Sequence, residues 1–346
     1  MDVNQEKLQT AKKVLDVLIK NELRDGVYDH LNLDKWDWPT GVALYCMYKI
    51  YKKTGDKDFL DHITEWFEAQ LQKEPPHRNV NMVTPMLAMV CLYDETKDPK
   101  YLEHIESWVD WVMNDMARTE YGGMQHMTVW NMHYQQLWDD TLFMTVLFIA
   151  KAGKVLGRPE LVDEAKYQFL IHIKYLQDKK TGLWYHGWTF DCRHNYAEAF
   201  WARGNSWFTS GAVEFIDIVG ERDASIRFIE AAWQDQVRAL IKYQSINGLY
   251  NTLVNVEESY WETSATAGIA YGLLKGIRIG LLDEDKSFYA QNAADAVMRN
   301  ISADGMVEGV SYGTGMGKDF DFYKKIAIVP TAYGQGLTLL MLTELI

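Results

Sequence analysis

One kind of punctuation recurs along this chain and constrains its fold more than any other feature. Lys53-Thr54-Gly55-Asp56-Lys57-Asp58-Phe59-Leu60, Thr96-Lys97-Asp98-Pro99-Lys100-Tyr101-Leu102 and Gly157-Arg158-Pro159-Glu160-Leu161 each end one apolar segment and begin another. Gly220-Glu221-Arg222-Asp223 and Asp283-Glu284-Asp285-Lys286 continue the series. Glycine closes a helix in the left-handed conformation, proline suits a helix's first turn, and aspartate caps its free N–H groups. Between the breakers, apolar residues recur at helical spacing: Leu8, Ala11, Val14, Leu15 and Leu18; Leu60, Ile63, Trp66 and Phe67; Ala212, Phe215, Ile216 and Val219. The pattern predicts about twelve helices, near residues 4–20, 39–53, 57–73, 82–95, 98–116, 139–156, 159–178, 198–219, 223–243, 264–279, 284–299 and 330–345. Each unit is an apolar helix, a tight turn and an amphipathic partner, a repeat whose units bury their faces against one another.

Such hairpins stack into an open solenoid or close into two concentric rings. The starts of the presumed inner helices favour closure, because they gather aromatic and polar residues that a solenoid has no reason to collect at one end. They read Trp36-Asp37-Trp38-Pro39-Thr40-Gly41, Asn79-Val80-Asn81-Met82-Val83-Thr84-Pro85, Trp138-Asp139-Asp140-Thr141, Trp201-Ala202-Arg203-Gly204-Asn205-Ser206-Trp207, Tyr260-Trp261-Glu262-Thr263-Ser264 and Val329-Pro330-Thr331-Ala332-Tyr333-Gly334. In an up-down ring these starts share one rim. The expectation is an all-α (α/α)6 barrel of six inner and six outer helices, one catalytic domain over residues 1–346. Gly182–Trp188 and Gly248–Leu253 read as short strand-like loop hairpins.

Composition excludes some functions. A net charge of −13 argues against nucleic acid, whose phosphates need clustered Lys and Arg. No segment is long and apolar enough to span a membrane. The N-terminal MDVNQEKLQTAKKV lacks a signal peptide's apolar stretch, and Cys46, Cys91 and Cys192 form no metal or disulfide pattern. A reducing cytoplasm fits. No H-E-x-x-H pattern occurs among the 9 His, so neither a metal nor another cofactor is expected. Monomer and homodimer remain open. The 13 Trp and 20 Tyr either fill a wide core or line a pocket whose walls stack on sugar faces.

Asn, Asp, Ser and Thr at helix starts are ordinarily caps. An aromatic beside a polar group at most of the inner starts points further, to a cup lined by Trp, Asp, Asn, Arg and Glu. Two glycine-bearing loops add His126 and His186.

Four segments then resemble glycoside hydrolase family 105. Trp138-Asp139-Asp140-Thr141-Leu142-Phe143-Met144 is similar to its W-x-D-x-L-[YF]-M segment, and Gly123-Met124-Gln125-His126 to its loop ending in a substrate-binding His. Gly182-Leu183-Trp184-Tyr185-His186-Gly187-Trp188 is similar to its second His loop, and Trp201-Ala202-Arg203-Gly204-Asn205-Ser206-Trp207 to its W-x-R-G-N-x-W segment. Order and spacing agree from about Trp36 to Pro330. The resemblance implies a double helical ring that removes unsaturated galacturonic acid from the non-reducing end of rhamnogalacturonan or pectin fragments. Its catalytic Asp maps to Asp140, with Asp139 as the competing neighbour. A second family Asp maps near Asn81, where this chain has an amide.

The implied substrate is a small oligosaccharide carrying a C4=C5 double bond beside a carboxylate and a ring oxygen. One acid suffices: it protonates C4, then takes a proton from the water attacking C5. It therefore needs a raised pKa, which burial among Trp38, Trp138 and Trp207 would supply. Arg203 forks onto the substrate carboxylate or forms a structural ion pair with Glu262 or Asp139. Trp38, Trp138 and Trp207 wall the sugar, His126, His186 and Asn81 hold hydroxyls or water, and Glu262 completes the set. The competing schemes are a two-carboxylate glycosidase using Asp140 and Glu262, an epimerase using His126 and His186, and a helical-repeat protein that only binds.

Overall fold

The computed structural model describes residues 3–20 and 31–346; Met1, Asp2 and residues 21–30 lie outside it. The helices follow the breakers. In chain order they are α1 (Val3–Ile19), α2 (Trp38–Thr54), α3 (Lys57–Gln70), α4 (Val80–Thr96), α5 (Leu102–Asn114), α6 (Leu147–Leu156), α7 (Pro159–Leu176), α8 (Ala202–Val219), α9 (Ala224–Tyr243), α10 (Thr263–Arg278), α11 (Ser287–Arg299), the short α12 (Phe320–Lys324) and α13 (Ala332–Leu342). Gly55, Gly157 and Gly220 end α2, α6 and α8 at φ near 70°. Asp56, Asp98 and Asp223 each accept a backbone N–H of the next helical turn. Each such cap contributes about 1 kcal/mol.

Helices α2, α4, α6, α8, α10 and α13 pack side by side as the inner ring, closed by α13 against α2. Helices α3, α5, α7, α9 and α11 lie outside as their hairpin partners, and α1 covers α13, so the first helix completes the last pair. The result is an (α/α)6 barrel around one main apolar core. Neighbouring inner helices touch backbone to backbone. A Cβ on Gly41 would lie 2.5 Å from the Pro85 nitrogen, and one on Gly272 2.6 Å from the Thr209 carbonyl oxygen. Glycine is required there because any side chain would force the ring open. Among the described residues, no helix is long and apolar enough to cross a membrane.

Three departures from the sequence expectation bear on the site. The third inner helix starts with a wider π turn, Leu142–Val146, before α6. The fourth starts at Ala202 rather than near 198. The strand-like segments are not self-contained hairpins: Gly187–Thr189 pairs antiparallel with Gln136–Trp138, and Tyr250–Asn251 with Trp261–Glu262. Each ladder joins a loop to the segment that enters an inner helix, and the first does so across a long sequence separation that local patterns do not encode.

Candidate active site

The inner helix starts share one rim, and a cavity of about 420 Å³ opens there. Every inner start except that of α10 contributes to its wall: Trp38 and Thr40 from α2, Asn81 from α4, Asp140 and Met144 at the π turn, Trp201, Arg203 and Trp207 around the start of α8, and Tyr333 from α13. Loops complete the wall with Lys35, His126, Trp130, His133 and the Tyr312-Gly313-Thr314-Gly315 stretch.

Asp140 stands at the end of the Gln136–Trp138 ladder, and its carbonyl accepts the N–H groups of Phe143 and Met144. The π turn thus aims the carboxyl at the cavity; wide turns of this kind recur at functional sites. The His126 Nδ1 lies 3.0 Å from the Thr141 hydroxyl and 3.1 Å from Asp140 Oδ1. His126 is 2% exposed and stacks on Trp138, with ring centres 4.1 Å apart and planes 3° apart. His133 packs against the same indole at 4.6 Å.

The electrostatics of Asp140 differ from the sequence expectation. Burial pushes its carboxyl up, but the net displacement is downward, and His126, through charge and a hydrogen bond, leads the opposing pull. It is Asp139, the neighbour, whose carboxyl is driven well up, by burial first and by Asp140 second. Asp139 points away from the cavity, wholly buried, and among the described residues neither of its oxygens has a hydrogen-bond partner. Burial also drives His186 down to about 3 and His133 to about 4, so both rings are neutral near pH 7.

Two expected substrate residues do not border the cavity. Glu262 is 0% exposed and caps α10, accepting the N–H groups of Ser264 and Ala265 and that of Ser311. His186 lies behind Trp138, its ring centre 5.3 Å away, with Nδ1 held by the Tyr323 hydroxyl at 2.8 Å. Arg203 does border the cavity, but its fork is already engaged. Nη1 donates to the Ser311 carbonyl at 3.0 Å and to its hydroxyl, and Nη2 donates to the Tyr312 carbonyl at 2.9 Å. Its guanidinium lies over Trp201 and Tyr333 at 4.5 and 5.0 Å, while Glu262 sits 3.9 Å from Nη1. Arg203 therefore builds the 311–315 loop and gives it positive potential.

Trp38, Asn81, His126, Trp138, Asp140, Arg203 and Trp207 are thus brought together. Sequence reasoning missed Lys35, Trp130, His133 and the 312–315 loop. The glycines of Tyr312-Gly313-Thr314-Gly315 were the one readable signal; a Cβ on Gly313 would lie 3.1 Å from Trp38. The other carboxyl at the wall, Asp37, caps α2 through one oxygen, which accepts the N–H of Trp38, and burial raises its pKa. No cluster suited to a metal ion occurs among the described residues.

Known proteins resemble this chain along most of its length. Residues 10–346 match the family model described as Glycosyl Hydrolase Family 88. The unsaturated rhamnogalacturonyl hydrolase YesR of Bacillus subtilis is 30% identical over 90% of each chain. Crystal structures of possible GH105 members are similar throughout. The one from Salmonella enterica serovar Paratyphi A has a TM-score of 0.95 and 42% identity over 99% of this chain and 94% of its own. The one from Klebsiella pneumoniae has a TM-score of 0.94 and 40% identity over 99% and 93%.

Proposed function

The chain belongs to Glycosyl Hydrolase Family 88, in the broad group that takes in the GH105 enzymes, and from that premise we propose that Asp140 alone carries its acid–base chemistry. It is a glycoside hydrolase of the unsaturated uronyl kind. The proposed substrate is an unsaturated galacturonic acid joined at C1 to a short rhamnogalacturonan or pectin fragment, by analogy with YesR.

One observation carries the one-carboxyl scheme: among the described residues, Asp140 is the carboxyl bordering the cavity that caps no helix. Asp37 gives one oxygen to the cap of α2, Glu262 is engaged at both oxygens as the cap of α10, and Asp139 faces away. A two-carboxylate glycosidase would have to draw its second acid from the cap of α2, and a paired-histidine epimerase would need a His186 free of Tyr323 and open to the cavity.

The steps follow from the geometry. The substrate carboxylate enters beside the positive field of Arg203 and the N–H groups of the 313–315 loop, while Trp38, Trp138 and Trp207 face the ring. Its charge and the loss of water destabilise ionised Asp140 and raise its proton affinity from the depressed resting state. Protonated Asp140 gives its proton to C4, leaving positive charge shared by C5 and the ring oxygen. Water, held by His126 and Asn81, adds its oxygen to C5 and returns its proton to Asp140. The hemiketal opens to a ketone at C5, the ring oxygen becomes a hydroxyl on C1, and that hemiacetal collapses, breaking the bond to the leaving sugar. General acid–base help of this kind contributes roughly a hundred- to ten-thousand-fold in rate. We place the reaction in a reducing cytoplasm, a reading supported by three unpaired cysteines.

The test is turnover in heavy water. Hydration leaves deuterium on C4 of the released uronate; its absence there rejects the scheme. In parallel, Asp140→Asn is expected to abolish loss of the double-bond absorbance while still binding substrate. Asp139→Asn, one neutral group for another, keeps turnover within about tenfold. The reverse pattern would transfer the role to Asp139.

A further inference from the structure

The cavity wall is buried in places and exposed in others, and its exposed part carries an aromatic that removal of a terminal uronate does not use. Trp207 at 1% and Trp138 at 3% are buried in the wall, whereas Trp130 borders the same space at 93% exposure. An indole left in water forgoes most of the stabilisation its burial would provide. Chance exposure of a slack loop tip does not fit the local hydrogen bonding. The Thr128 N–H donates to the Asn131 carbonyl at 2.9 Å, and the His133 N–H donates to Asn131 Oδ1 at 2.9 Å, which folds a tight turn with Trp130 near its tip. Gln125 fastens the base of this turn. Its amide nitrogen donates to the Met132 carbonyl at 2.8 Å, and its amide oxygen accepts the Gln135 N–H at 3.0 Å. His133 and Gln135 adopt φ of 39° and 54°, left-handed conformations that non-glycine residues take when their surroundings impose them. Val129, Met132 and Tyr134 are also exposed on this loop, yet Trp130 is the one of the four that faces the cavity.

We propose that Trp130 is the stacking platform for the leaving sugar, the pyranose bonded to C1 of the unsaturated uronate. The inference rests on the reading that Asp140 acts on that uronate. With C4 and C5 at Asp140, the substituent on C1 extends toward the exposed part of the wall, and there the indole offers a flat apolar face to the C–H side of a pyranose. Recognition of the leaving sugar then depends on Trp130, and the chemical step at C4 does not.

The test compares two substrates of the full-length protein: the unsaturated uronate linked to a sugar, and the same uronate as its methyl glycoside, which has no second ring. Loss of double-bond absorbance gives kcat and KM for each. Trp130→Ala is expected to raise KM for the disaccharide by about tenfold, with kcat changed by less than about threefold, as loss of one aromatic contact predicts. For the methyl glycoside its KM moves by less than about twofold. Trp130→Phe keeps most of the disaccharide KM, and Tyr134→Ala, on the same loop but off the cavity, changes neither substrate. An equal effect of Trp130→Ala on both substrates, or no effect on either, overturns the proposal while leaving the Asp140 scheme standing. Failure of the wild-type protein to convert either substrate overturns both.

Discussion

At Asp139 a fully buried carboxyl presses on backbone: a Cβ on Gly204 would lie 1.9 Å from Asp139 Oδ2. Adjacent aspartates thus meet opposite surroundings. Asp140 borders the cavity among imidazoles, and Asp139 sits in a tight apolar slot that disfavours its charge. Gly204 is therefore a steric partner of Asp139. Gly204→Ala is expected to destabilise the protein by about 1–3 kcal/mol through overpacking. Asp139→Ala in the same chain should recover part of that loss, because it removes the clashing oxygen. A thermal-denaturation cycle of the two single variants and the double variant measures the coupling; additive losses would place the clash elsewhere. The sequence showed two aspartates side by side but not which one faces the cavity, because that depends on the π turn and on the ladder with Gly187–Thr189.

Between the inner helices, at the level of Glu214, the barrel interior is ionic rather than apolar. Glu214 of α8 is buried and accepts from Tyr45 and Lys49 of α2 and from Tyr271 and Lys275 of α10. Burial alone would raise its pKa, but Lys275 and Lys49 hold the carboxyl far below the usual range. Three inner helices are thus tied through one carboxylate. Glu214→Gln leaves two ammonium groups short of an anion, with Asp217 at 2.7 Å still available to Lys275. The expected cost is about 3–5 kcal/mol, read as a lower denaturation midpoint with turnover at moderate temperature retained. An unchanged midpoint would mean that water enters and solvates the cluster. Periodicity placed Glu214, Lys275 and Lys49 inside helices, but their convergence depends on the rotation of each helix about its axis, which neighbours decide.

For the whole molecule, buried neutral histidines set the response to acid. Burial drives His172 down to about 4, against a smaller upward pull from the Gln168 carbonyl, and His186 to about 3. An unfolded histidine titrates near 6.5, so between about pH 6.5 and 4 the unfolded chain binds protons that the folded one refuses. Stability therefore falls as pH falls through that window, by about 1.4 kcal/mol per pH unit for each such histidine. Urea midpoints between pH 7 and 5 should show this slope, and His172→Gln should flatten it; equal slopes would mean the buried rings accept protons without unfolding. What the sequence determined by itself was the twelve helices of the two rings, many of their caps and the ring they close into, though not the short α12, because helix periodicity, Gly and Pro punctuation and Asp capping act within a few residues of chain. It also brought most of the cavity wall into view, since an up-down ring puts every inner helix start on one rim. Tertiary structure alone decided that Glu262 caps α10, that the Arg203 fork engages Ser311 and Tyr312 at the wall, that His186 sits behind it, and that loop residues such as Trp130 and His133 complete it. Those outcomes turn on which hydrogen-bond partner each polar group finds across the ring, and no local pattern of residues carries that information.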